Sequence, residues 1–211
     1  IALIVVAVPG LAQNPTDRVY YKNKEGRIVD ERGTAKESAK GIVLTVSTTD
    51  KKEKTINAED IVRVIYADGS IPGFDSTQFS KALTFESIND YAKAAAEYSA
   101  LAKSPVLQGK AKRFVGFREL MCTLKVLDAK SGDDFSKEAP ILADRFKKFS
   151  TENKASWECW STARAAARLY CEIAFEHGLA AIRDNKKADT DPDRKAELDN
   201  LKQAATVLEG L

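Results

Sequence analysis

One histidine, one methionine and three cysteines are spread through 211 residues. Metal centres and activated nucleophiles need several such side chains converging, so this scarcity argues against many enzyme classes. Excess charge is missing as well: 33 Lys and Arg against 31 Asp and Glu leave a net charge of +2. That balance gives no electrostatic reason to expect nucleic acid or a membrane surface as partner. The apolar run Ile1 to Ala12 falls short of the ~20 helical residues that a bilayer requires, so no stable span is expected in the mature chain. No cofactor motif, metal-ligand spacing or catalytic constellation occurs, and none is assigned.

The apolar start, IALIVVAVPGLA, gives way abruptly to the polar Gln13-Asn-Pro-Thr-Asp17. Small residues at its end fit a cleavage region, which makes residues 1–12 a partial secretory signal peptide, without initiator Met or basic n-region. Export to the periplasm or cell envelope follows from that reading, with Gln13 opening the mature chain. A buried first strand is the alternative reading of the same run.

Residues 13–68 carry strand signals. Arg18 to Lys22 alternates, Lys24-Glu-Gly26 is a turn, and Arg27 to Asp30 is a second short extended run. Gly33 to Lys40 is polar and reads as a loop. Gly41 to Ser47 is the strongest strand, rich in β-branched residues. Thr48 to Lys52 turns it into Lys54 to Asn57, and a short helical turn at Ala58 to Asp60 precedes a last strand, Ile61 to Tyr66. Five short strands in this length make a small barrel or a strongly bent meander.

Asp68-Gly-Ser-Ile-Pro-Gly73 breaks both helices and strands, so residues 69–75 are assigned as a linker. It should be the first site of limited proteolysis and should separate a β unit from an α-helical region, 76–211. That region reads as helices over Tyr91 to Leu101, Leu107 to Lys130, Phe135 to Ser150 and Ala155 to Asn185, with an earlier one around Phe79, Ala82 and Phe85. A last helix follows Asp191-Pro192, a cap with proline at the first position. The fold class is α+β. The longest helix carries an apolar set from Trp157 to Ile182, Leu179 included, and an outward charged row Arg164, Arg168, Glu172, Glu176.

The strand pattern ending in Ile56-Asn-Ala-Glu-Asp-Ile61-Val-Arg-Val-Ile-Tyr66 resembles small SH3-like or Sm-like β-barrels of exported bacterial proteins. The Asp/Asn and Arg-Gly loop signatures of that family's nucleic-acid-binding members are not found here, so the resemblance implies a packing or docking unit. Tyr91, Ala94, Tyr98 and Leu101 resemble the second helix of a tetratricopeptide repeat, with Phe79, Ala82 and Phe85 as its first. Gly116 falls 34 positions after Ala82, after which the register fails. The resemblance implies helical hairpins that bury one another's faces and offer a concave surface to a protein partner, with Tyr91, Tyr98 and Arg118 as candidate partner-binding residues.

Other candidates weigh less. Asp189-Thr-Asp191-Pro-Asp193 opens like a calcium loop, but Arg194 and Asn200 stand where that loop needs glycine and a bidentate Glu. His177 has no second His or Cys within ligand spacing. Lys110, Lys112, Arg113 and Arg118 read as the wet face of an amphipathic helix. Cys159 and Cys171 are twelve positions apart on one helix, roughly 18 Å, and cannot pair. A Cys122–Cys171 disulfide is the candidate bridge in an oxidising compartment, set against three free, packed thiols. The function expected is a non-enzymatic interaction or scaffold protein; the alternative is a small-ligand-binding protein or enzyme with its pocket between the β unit and the helices.

Overall fold

The computed structural model describes residues 16–46, 52–66, 76–105, 107–184 and 191–210. The apolar start, the linker 69–75, most of the turn at 48–52 and Asp189 lie outside them. Strands β1 (Asp17–Lys22), β2 (Ile28–Ser38), β3 (Gly41–Thr45), β4 (Glu53–Asn57) and β5 (Ile61–Ile65) form one antiparallel sheet in the order β4-β3-β2-β1-β5, with a 3-10 turn at Ala58–Asp60 before β5. The sheet is open rather than closed into a barrel, with β4 and β5 at its edges.

β2 is longer than its sequence advertises. It pairs with β1 as far as Gly33 and with β3 from Thr34 onwards. A Cβ at Gly33 would lie 2.3 Å from the carbonyl oxygen of Thr45, so only glycine permits the backbones to meet where the strand changes partner. Most of the stretch read as a loop, from Gly33 to Ser38, is therefore strand. Its inward positions are Gly33, Ala35 and Glu37, too small or too polar to show a hydrophobic alternation.

Six helices follow: α1 (Ser76–Ser87), α2 (Tyr91–Ala102), α3 (Gly109–Leu127), α4 (Gly132–Glu152), α5 (Glu158–Arg183) and α6 (Pro192–Glu209). Asp90 caps α2 by accepting from the Lys93 amide at 3.3 Å, and Asp191 caps α6 by accepting from the Asp193 amide at 2.8 Å. α4 begins earlier than expected, which leaves Pro140 in its interior rather than near its first turn. Pro140 is exposed, so the carbonyl that loses its donor faces water.

α3 contributes to all three apolar cores of the molecule. Val115 and Cys122 pack with Ala82, Ala94 and Tyr98 of the first hairpin. Leu120, Leu124 and Leu127 pack against α4 and α5. Phe114 and Phe117 turn to the sheet, joining Val19, Leu44, Ile56 and Val64 together with Trp157 from the start of α5. The Phe117 and Trp157 rings meet edge to face at 5.3 Å. Side chains of the helical region thus complete the core of the sheet.

A buried polar network lies beside this junction. Arg113 donates to Glu37 at 2.5 Å, to Glu158 at 3.2 Å and to the Tyr66 hydroxyl at 3.2 Å, which also accepts from the Trp157 indole at 3.2 Å. Glu158 is fully buried at the first turn of α5, where the helix dipole favours a carboxylate. Lys110, 3.7 Å from Glu37, adds a second cation.

Candidate functional site

A cleft between sheet and helices starts from an irregularity in β5. Tyr20 pairs with Arg63 but Tyr21 pairs with Ile61, so Val62 is an extra residue and the ladder bulges. In a regular strand Ile61 and Arg63 would share a face; the bulge sends Ile61 inwards with Tyr21 and sets Arg63 beside Tyr20 on the other side. The Arg63 guanidinium stacks 4.4 Å from the centre of the Tyr20 ring, and Arg18, bound to Asp30 at 2.6 Å, approaches the same ring at 4.9 Å.

From the helical side, α1 contributes Leu83, Glu86 and Ser87, and α3 contributes Arg118; with Tyr20, Ile28, Val62 and Arg63 they line a cleft of about 420 Å³. Arg118 grips Glu86 through both carboxylate oxygens, and the Tyr98 hydroxyl donates to the same carboxylate at 2.9 Å. Burial lowers the pKa of the Arg118 guanidinium, and the positive charge of Arg63 acts in the same direction. Among the described residues Arg63 has no carboxylate partner. Two guanidinium groups against the single carboxylate Glu86 leave one positive charge in excess beside an apolar wall of Ile28, Val62 and Leu83.

The three candidate residues separate on inspection. Arg118 lines the cleft. Tyr98 is fully buried, so its ring is closed to a partner, and its role is to hold Glu86. Tyr91 is half-buried, donates to Asn89 at 2.7 Å and is not among the residues that line the cleft. Sequence reading missed Arg63 and Tyr20; the signal was their place in facing strands, invisible until the bulge sets the register.

The remaining candidates do not converge. His177 sits 3.2 Å from Asp193 between α5 and α6, and Asp191 serves as a cap. Among the described residues no group of three or more His, Cys, Asp or Glu side chains is arranged to hold a metal, and no helix is long and apolar enough to cross a membrane. The three cysteines are free thiols: Cys122 and Cys159 are buried and Cys171 is exposed, so the Cys122–Cys171 bridge is not formed. Cys122 faces the α1–α2 hairpin, whereas Cys171 lines an open groove with Phe135, Arg168 and Phe175. Comparisons with protein-family models, with curated proteins and with solved structures each return no match.

Proposed function

We propose that this chain is an exported, non-enzymatic interaction module that takes an acidic, extended segment of a protein partner into the cleft between its sheet and its helices. The observation that carries the reading is Arg63, a guanidinium without a carboxylate partner among the described residues, beside an Arg118 already oriented by Glu86 and Tyr98. A carboxylate entering there gains charge-assisted hydrogen bonds, and an aliphatic neighbour gains contact with Ile28, Val62 and Leu83. β5 lies at an edge of the described sheet, where an extended segment can add main-chain hydrogen bonds. In this reading the SH3-like or Sm-like unit and the tetratricopeptide-like hairpins form the two walls of one docking cleft.

The alternative of a small ligand uses the same cleft, whose volume lies within the range of small-molecule sites, about 300–1,000 Å³. The test that separates the two places a photo-crosslinking residue at the exposed Ile28 and a control at the exposed Ile141. In extract of the native cell envelope, position 28 should capture a protein through an acidic peptide and position 141 should not. Equal capture at both positions, or attachment through a basic peptide, would contradict the reading.

A further inference from the structure

Glu86 stands in the last turn of α1, where the helix dipole disfavours a carboxylate, and no basic residue of that turn offsets it. Its charge is met from other elements instead. Arg118 of α3 takes both carboxylate oxygens, with its Nε at 3.3 Å, and the Tyr98 hydroxyl of α2 donates at 2.9 Å. The Arg118 and Glu86 side chains are 19% and 18% exposed, so the pair is largely shielded yet still lines the cleft. One carboxylate thus ties three helices and also faces whatever enters.

The charged residues lining the cleft are Arg63, Arg118 and Glu86. Glu86 answers Arg118, which leaves Arg63 as the cation that an incoming group can neutralise. Arg18, on the far side of the Tyr20 contact, is answered in the same way by Asp30 at 2.6 Å. A single negative charge therefore brings the cleft to neutrality. A second negative charge finds no unanswered cation among the lining residues and is repelled by Glu86.

We propose that Glu86 sets the charge that the cleft accepts: by occupying Arg118 it admits one carboxylate and selects against a group with two negative charges, such as a phosphate dianion. The inference rests on the reading of the cleft as an acid-binding site and adds which acid it takes. Selection of this kind works through a repulsive element. Arg63 attracts any anion, and the charge of Glu86 subtracts more from a dianion than from a monoanion. Without Glu86 the cleft would present two unanswered guanidinium groups, the arrangement that suits a phosphate, whose charge near pH 7 is about −1.5 to −2. The preferred partner segment is therefore acidic through Asp or Glu and not through phosphorylation.

Fluorescence anisotropy with the full chain tests this with three labelled peptides, valine-rich and identical except for a central glutamine, glutamate or phosphoserine. The wild type should bind the glutamate peptide in preference to the glutamine one, and the phosphoserine peptide no more than about threefold tighter than the glutamate one. Glu86→Gln, with an unchanged circular-dichroism spectrum, should tighten the phosphoserine peptide by about tenfold or more and the glutamate peptide by less. A wild type that favours phosphoserine by more than threefold overturns the inference with no variant needed, and so does a folded Glu86→Gln that leaves the ratio of the two affinities unchanged. Should Glu86→Gln fail to fold, the wild-type comparison decides. A wild type that does not separate glutamate from glutamine contradicts the acid-binding reading itself, and the inference falls with it.

Discussion

Glu158 is a carboxylate whose burial outweighs its partner. Burial raises its pKa above the ordinary value of 4.5, although Arg113 pulls the other way and nearby Glu37 adds a smaller push upwards. A folded-state pKa above the unfolded one means that the native protein holds the proton more tightly. The stabilisation from this group is therefore complete below about pH 4.5 and is lost as pH rises through the folded value. Glu158→Gln removes the titration, so the variant should gain on the wild type as pH rises from 4.5 towards neutrality, read as urea midpoints across a pH series. Parallel profiles, or a wild type that gains instead, would count against it. Arg113→Met should act in the opposite sense. It strands Glu37 and Glu158 beside an apolar core and should cost about 3–5 kcal/mol at neutral pH, the range for breaking a buried pair, measured by the same denaturation. The thiols offer a third check at this scale. Burial pushes the Cys122 and Cys159 thiols above their ordinary pKa, while Cys171 is exposed. One thiol of the native protein should react promptly with a chromogenic disulfide and two only on unfolding. Three equally fast thiols, or none, would contradict the packing of α3 and α5.

Whole elements were readable wherever their burial is apolar and periodic. Most strands and helices lie within a few residues of the sequence expectation because Val, Ile, Leu and Phe mark their inner faces. The second half of β2 was hidden by Gly33, Ala35 and Glu37, an inward set chosen for close approach and for the Arg113 network rather than for hydrophobicity. α6 was legible as a helix but not in orientation, since its apolar row, Leu198, Leu201 and Leu208, turns outwards, as do Leu179 and Ile182 of α5 against expectation. Among the candidate site residues, Arg118 could be found from sequence, but Arg63 could not, because a one-residue bulge decides which face it joins. Close backbone approach also makes a prediction for the sheet. Gly41 has φ +138°, and a Cβ there would lie 2.0 Å from the carbonyl oxygen of Ile56. Gly41→Ala should therefore destabilise the protein by about 2 kcal/mol or more through strain and displacement of β4, seen as a lowered Tm. A variant as stable as the wild type would show that the β3–β4 pairing is wrong.

At the scale of the whole molecule, α3 packs on both the sheet and the other helices, and residues of sheet and helices together line the cleft between them. Tyr20 and Arg63 are fixed by strand pairing, Arg118 by Glu86 and Tyr98. Under the proposed reading such a site recognises by charge and position; among its described residues Glu86 is engaged by Arg118 and Tyr98, and Ser87 donates to the Thr84 carbonyl at 2.7 Å. Binding should weaken as salt rises, because the cleft is open to solvent. The most direct measurement is a fluorescence-anisotropy titration of the full chain with a labelled peptide alternating Glu and Val, beside its Gln-for-Glu counterpart, for wild type and Arg63→Glu. The acidic peptide should bind the wild type in preference to its neutral counterpart and lose about tenfold or more, 1.4 kcal/mol, on Arg63→Glu. Equal affinity for the two peptides, or an Arg63→Glu variant that binds the acidic one unchanged, would contradict an acid-binding cleft.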